Sequence, residues 1–199
     1  MLKHHFDIKK SIFIGILVVI LSYTFWLVQE TSDTNTNAKK SDNRPDFFAK
    51  NVYATEYDQA GKLIHKLQTP YLIHYALDDM SDLISPAITI YSDKDAKQPW
   101  FITSKTGKAI HGTDIIDLIG NVVIHQPAGP ANDDVIIHTE ALTVYPKQNY
   151  AKTNKLVTID EPGINVSAIG MKVYFKEKRV ELLQSAKGVY DQSQSSKKK

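Results

Sequence analysis

Cysteine is absent from the 199 residues of this chain. Disulfide bonds, thiolate nucleophiles and thiolate metal ligands are therefore excluded. An excess of one charge is also missing from the body, because residues 46–199 hold 18 Lys and Arg against 18 Asp and Glu. Nucleic acid binding depends on neutralising many phosphates. The neutral body therefore argues against nucleic acid as a partner.

Short catalytic and metal-binding motifs are missing as well. The chain has no GxSxG elbow, no P-loop, no GxGxxG fingerprint and no HxH or HExxH pattern among its seven histidines. Asp78, Asp79 and Asp82 form an acidic cluster without the glycine and terminal glutamate of a calcium loop. We predict a solvated turn there, and a protein that is not an enzyme and binds no metal or cofactor.

One stretch near the N-terminus lacks charge altogether. Residues 12–28 contain no charged side chain, and as a helix they span roughly 26 Å, close to the roughly 30 Å of a bilayer core. Aromatic residues, including Tyr23 and Trp26, end the stretch where a signal peptide has a small-residue cleavage site. We predict an uncleaved transmembrane helix over residues 12–29. Gly15 and Ser22 share one face of it and could let a partner helix approach closely.

Charges flanking this helix predict its orientation. Three lysines precede it and two acidic residues follow it, so residues 1–11 are expected in the cytoplasm and the body outside it. Residues 30–44 are polar and predict a flexible linker. Residues 45–191 form the folded domain, and residues 192–199 form a disordered, lysine-rich tail.

The folded domain has the pattern of an all-β protein. Runs rich in Val, Ile, Thr and Tyr alternate with turn residues, and no helical apolar stripe follows Val28. The loop Asp58–Gly61 predicts a hairpin turn. The predicted strands are 52–57, 63–67, 70–75, 84–91, 100–104, 115–125, 135–145, 156–160, 164–168, 171–175 and 180–190.

The sequence also repeats itself inside this domain. Shifts of 35 residues carry Thr69 onto Ser104 and then onto Thr139, and the apolar residues around them match as well. A further shift of 29 residues reaches Ala168. A two-strand unit cannot bury its apolar face alone, so the copies must stack. Such stacks are more often binding architectures than catalytic ones.

Several features together resemble the LptC family of bitopic lipopolysaccharide export proteins. They are the N-terminal anchor, the polar linker, Pro45 before the first strand, the loop ending at Gly61, the segments 119–124 and 156–159, and Gly163. The resemblance covers nearly the whole chain. It implies a Gram-negative inner-membrane protein whose periplasmic part is an elongated, twisted β-jellyroll of V-shaped section, built from two antiparallel sheets.

The resemblance also implies a cargo and partners. Lipopolysaccharide extracted by the LptBFG transporter would enter an apolar groove and pass to periplasmic LptA, with the transporter at the N-terminal edge and LptA at the strand 180–190. The residues expected to line the groove are Val52, Leu83, Ile88, Ile119, Val157, Ile159, Ile164, Val166, Val180 and Leu182. The residues expected at partner contacts are Gly15, Ser22, Gly61, Gly163, Ser185 and Tyr190.

Two other functions stay open from the sequence. A membrane-anchored periplasmic scaffold without lipid cargo would fill its interior with its own side chains and leave no lipid-sized groove. A periplasmic hydrolase built from scattered His, Asp and Ser residues would bring at least one polar triad within hydrogen-bond reach.

Overall fold

A computed structural model describes residues 18–19, 21–26, 44–91, 98–130 and 132–190. The chain divides into two compact units, Met1–Asn43 and Arg44–Lys199. In the first unit, residues 18–19 and 21–26 are helical and exposed. No helix within the described residues is both long and apolar enough to cross a bilayer. The rest of the predicted anchor, Gly15 included, lies outside the described residues, as do segments 1–11, 30–43 and 192–199.

The second unit is an eleven-stranded antiparallel sheet, which confirms the all-β prediction. Its β-branched and aromatic residues suit a pleated, half-buried surface. The strands are β1 (Phe47–Tyr57), β2 (Leu63–Tyr75), β3 (Met80–Ile84), β4 (Ala87–Ile90), β5 (Trp100–Thr103), β6 (Thr106–Ile110), β7 (Ile115–Gln126), β8 (Val135–Tyr145), β9 (Tyr150–Glu161), β10 (Ile164–Tyr174) and β11 (Arg179–Tyr190). A single 3₁₀ turn, Pro146–Gln148, connects β8 to β9.

Each strand pairs with its neighbours in the chain, except where two short strands share one long partner. Strand β2 pairs with β4 along His65–Gln68 and with β3 along Tyr71–Tyr75. Strand β7 likewise pairs with β6 through its first half and with β5 through its second. The pair β3 and β4, and the pair β5 and β6, therefore each take the place of one long strand. We call each long strand or short-strand pair a rung.

A line of irregularities crosses the rungs near their middles and bends the sheet. The register shifts between Ile119 and Val122 in β7 and between Ile169 and Met171 in β10. The bend divides every rung between a first arm, which contains β4 and β5, and a second arm, which contains β3 and β6. Two separate sheets were predicted, but the structure has one folded sheet. The reason is that the long strands run through the bend and keep the backbone ladder continuous.

The 35-residue repeat marks this bend. Thr69, Ser104 and Thr139 are buried at equivalent corners, and each hydroxyl oxygen lies near the carbonyl oxygen two residues further on, at 2.9, 2.9 and 3.5 Å. The hydroxyls of Thr69 and Thr139 share their proton with a closer carbonyl oxygen on the neighbouring strand, at 2.7 and 2.9 Å. Such local bonds compete with the regular ladder and favour a turn of the backbone. At the fourth corner Ala168 has no hydroxyl, and Gly170 turns the chain there with a φ of +77°.

The predicted strands differ from the observed ones at the bend. The predicted strands 63–67 and 70–75 form one strand, β2, because Pro70 lies where β2 changes partners. The predicted strand 84–91 is interrupted at Ser85, which has a φ of +48°. Strands β3 and β6 were not predicted. The inward residues of β6 are only Gly107 and Ala109, which are too small to produce an apolar alternation, and the inner face of β3 carries the polar Ser81 beside Leu83.

Candidate functional site

The inner face of the first arm carries an unbroken row of aliphatic side chains. Its members lie opposite one another in the strand register from β2 to β10. They are Leu67, Ile88, Ile102, Ile124, Ile137, Ile159 and Val166. All are buried except Val166, which packs against the buried cluster from its edge. A hydrocarbon chain running across the strands would meet only aliphatic carbon along this row.

Two shorter rows of small and aliphatic side chains line the inner face of the second arm, opposite the row of the first arm. One runs from β6 to β11 and the other from β3 to β8. The first contains Ala109, Ile116, Val144, Ala151, Val173 and Val180, and the second contains Leu83, Gly107, Leu118 and Leu142. Both arms contribute to one apolar cluster. The interior is therefore a hydrocarbon layer between two walls of one folded sheet.

Nine of the ten predicted groove residues lie on these inner faces. Leu83, Ile88, Val157 and Ile159 are buried, while Val52, Ile164, Val166, Val180 and Leu182 are partly exposed. Val52 belongs to this face because it lies opposite the buried Thr69. The structure thus brings these residues together, and their contact with lipid stays a prediction.

Ile119 is the exception and requires a correction. Its side chain is 59% exposed, whereas the preceding Leu118 is 1% exposed and points inward. Residues 115–119 are apolar on both faces, so alternation alone could not decide their direction. The register at the bend decides it, and the structure does not place Ile119 with the other groove residues.

A cavity of about 170 Å³ opens between the arms at the β1 end of the interior. Ala54, Leu67 and Ile88 line it from the first arm, and the other side is lined by Ile116, from the second arm's inner row, and by Pro146. An apolar cavity of roughly 150 Å³ is large enough to bind benzene. This cavity therefore has room for a short length of hydrocarbon.

One wall of the cavity carries a buried histidine that the sequence did not single out. His65 is 7% exposed, and its Nδ1 lies 3.0 Å from Glu56 Oε2. Its Nε2 has no hydrogen-bond partner within the described part of the chain. The signal was available, because His65 precedes the inward Leu67 and Thr69 in a strict alternation.

Charged groups stand near the same opening. Lys147 Nζ is 2.5 Å from Asp114 Oδ1. This contact raises the pKa of the Lys147 ammonium group, and the charge of Glu56 adds a smaller effect in the same direction. Of the described residues, no group of three or more His, Asp or Glu side chains is arranged to hold a metal ion.

The two end strands of the sheet carry edges that could accept another strand. Within the described residues β1 pairs only with β2 and β11 only with β10. Ser185 bends β11 with a φ of +50°, and Tyr190 at its end is 59% exposed. Gly61 and Gly163 occupy hairpin turns with φ values of 76° and 78°. Ser22 is exposed on the short described helix.

Comparison with known proteins identifies relatives of this fold. A comparison with curated proteins finds no match. Among solved structures, the chain is similar to LptH from Pseudomonas aeruginosa, the LptA-homologous periplasmic component of the lipopolysaccharide transport device, with a TM-score of 0.50 and 10% sequence identity. The similarity covers 64% of this chain and 94% of that one. At this identity it establishes the jellyroll fold alone.

The family comparison is more specific. The family described as lipopolysaccharide-assembly, LptC-related, matches residues 14–191. The match spans both the N-terminal segment and the whole sheet, as the sequence resemblance predicted. The chain therefore belongs to the LptC-related family of lipopolysaccharide-assembly proteins.

Proposed function

We propose that this protein carries lipopolysaccharide along its inner face, from the LptBFG transporter of the inner membrane to periplasmic LptA. The observation that supports the proposal best is the aliphatic row from Leu67 to Val166, which crosses the rungs without a polar interruption. Each methylene group buried there contributes about 0.8 kcal/mol. A neutral domain can therefore hold an anionic lipid by its acyl chains.

The similarity of the rungs favours movement of the lipid along the sheet. Because the residues of the row are alike, a chain sliding from one rung to the next exchanges equivalent contacts and meets no single deep trap. The lipid enters at the β1 end, where the cavity lies, and leaves at the β11 end. Residues 12–29 anchor the protein in the inner membrane with the N-terminus in the cytoplasm, and residues 45–191 lie in the periplasm.

The packed interior sets a condition on this function. The cavity of about 170 Å³ accommodates only part of an acyl chain, and the remaining inner rows are in contact with each other. Lipid must therefore displace contacts between the arms as it advances. The same packing also favours a second candidate, a membrane-anchored scaffold without lipid cargo.

Photo-crosslinking in living cells separates the two functions. A photoreactive residue is placed at the half-buried positions Val52, Val166 and Val180, where a larger side chain fits with least disturbance, and at the outward Ile119 and Glu181 as controls. We expect energy-dependent adducts with lipopolysaccharide at the inward positions only. Adducts confined to the outward positions would contradict the groove, and no adducts at any position would favour the scaffold.

A further inference from the structure

We propose that the cavity at the β1 end is a polar subsite in which His65 accepts a hydrogen bond from a hydroxyl group carried by an acyl chain. The inference rests on the proposed function, since it assumes that acyl chains enter this cavity. It adds a specific recognition contact to an interior that otherwise offers only hydrocarbon.

The proton on His65 has a defined place. A carboxylate can only accept hydrogen bonds, so the 3.0 Å contact with Glu56 Oε2 requires the proton on Nδ1. In the neutral imidazole Nε2 is then an acceptor. Register supports the arrangement, because Glu56 and His65 lie directly opposite each other in β1 and β2. Glu56 therefore acts as a positioning residue that sets the tautomer.

The acceptor on Nε2 is unusual for its surroundings. It is buried, and none of the described residues supplies a donor to it. Buried polar atoms nearly always have a partner, because leaving one unpaired costs free energy. The neighbouring lining residues Leu67, Ile88 and Ile116 have no side-chain donor. Nε2 has almost no accessible surface, so a ligand in the cavity reaches it only by displacing the side chains packed around the histidine, and a donor on that ligand would then satisfy the atom.

The lining restricts which ligand fits. Aliphatic walls require a mostly hydrocarbon group, and the acceptor requires one donor on it. Anionic groups are disfavoured, because the Glu56 carboxylate lies beside His65, the Lys147 ammonium group already pairs with Asp114, and the Lys66 ammonium group lies over the ring of Tyr91. A neutral hydroxyl on an acyl chain, close to where the chain leaves the cavity, meets all of these conditions.

Two probes that differ by one hydroxyl group test the proposal. The full-length protein in lipid nanodiscs is titrated with a diazirine-bearing fatty acid methyl ester, with or without a β-hydroxyl group, and adducts on the β1 and β2 peptides are quantified by mass spectrometry. We expect the hydroxylated probe to reach half-saturation at a concentration roughly 2- to 10-fold lower, as one net hydrogen bond allows. The amount of each probe that partitions into nanodiscs without protein is measured separately, and the labelling is normalised to it.

Two variants assign the preference to the imidazole. His65→Phe keeps an aromatic ring but removes the acceptor, so both probes should label it equally. His65→Leu also removes the acceptor and preserves the test if His65→Phe fails to fold. Glu56→Gln is the matched control at a partly exposed position, because a hydroxyl group can donate to Nε2 or accept from it, so this variant should keep the preference in either tautomer.

The outcomes separate this inference from the proposed function. Equal labelling of the wild-type protein by both probes would overturn the hydroxyl contact and leave acyl-chain binding in place. Absence of cavity adducts with either probe would overturn both. A change in the ¹⁵N chemical shift of His65 Nε2 with the hydroxylated probe alone would support the contact directly, and an identical change with both probes would contradict it.

Discussion

Trp100 and Phe175 meet across the interior, with ring centroids 5.6 Å apart and ring planes at 63°. Trp100 begins β5 in the first arm, Phe175 follows β10 in the second, and both are buried. Beside them Lys178 Nζ donates to Gln98 Oε1 at 3.0 Å. These contacts join the outer ends of the two arms. They therefore limit how far the groove can open for lipid.

The contact between the two rings should appear as a coupling energy in the free energy of unfolding. We expect Trp100→Leu and Phe175→Leu each to destabilise the protein, and the double variant to lose about 0.5–1.5 kcal/mol less than their sum, since edge-to-face pairs contribute that much beyond burial. Denaturant unfolding followed by circular dichroism measures the cycle. Phe101→Leu, at a 40% exposed ring of the same strand, is the control and should change little. Strict additivity would mean that the rings contact without coupling.

The corner hydroxyl of Thr139 predicts a second stability effect. Its Oγ1 lies 2.9 Å from the carbonyl oxygen of Leu156 on the neighbouring strand. Thr139→Val keeps the shape but removes the donor, so we expect a loss of about 0.5–1.5 kcal/mol, the usual net contribution of one hydrogen bond. Thr158→Val, on the more exposed outer face of β9, should stay within about 0.5 kcal/mol. Equal effects at the two sites would show that the corner bond is not special.

The ionic contact between Asp46 and His74 predicts that the stability of the protein depends on pH. His74 Nδ1 lies 2.7 Å from Asp46 Oδ1, and this hydrogen bond raises the pKa of His74 and lowers the pKa of Asp46. The histidine's stabilising contribution is complete below its ordinary pKa of 6.5 and is lost as pH rises through the raised value. The aspartate's contribution is complete above its ordinary pKa of 3.8 and is lost as pH falls through the lowered value.

The pair should therefore stabilise the protein most between these two ordinary pKa values. We expect His74→Gln and Asp46→Asn each to lower Tm most in this mildly acidic window and least at alkaline pH. The double variant should follow the pH profile of His74→Gln, whereas Asp46→Asn should keep a smaller pH dependence, because His74 Nε2 still lies 3.6 Å from Asp79 Oδ1. A Tm difference from wild type that is constant across the pH range would contradict this assignment.

The exposed edge of β11 predicts how LptA is captured. Removing residues 186–199 deletes the first-arm half of β11 and retains Val180 and Leu182, which pack on the core. We expect this truncation to abolish co-purification with LptA and to leave association with LptBFG intact, because strand addition uses the free backbone edge. Val189→Thr changes a 71% exposed side chain but no backbone group, and should capture LptA normally. Undiminished capture by the truncated protein would contradict the edge assignment.

Much of the fold follows from local patterns. Hairpin turns such as Asp58–Gly61 and the alternation of Ile164, Val166 and Ala168 are local, so most of the strands and most inward residues could be predicted. The missed strands β3 and β6 and the misplaced Ile119 share a different cause. In β6 the inward residues are small, in β3 the inward Leu83 is preceded by the polar Ser81 and Asp82, and around Ile119 both faces are apolar, so none of these segments has a readable alternation.

Sequence alone determined the all-β class, the 35-residue repeat, the family and nine of the inward positions, because each depends on residues close together in the chain or on their order. Tertiary structure alone decided that the sheet is one folded surface, that Thr69, Ser104 and Thr139 form its corners, and that His65 meets Glu56 at a cavity. It also decided that Trp100 touches Phe175. Those relationships depend on the register and bending of the whole sheet, which accumulate over every rung and leave no mark in any single segment.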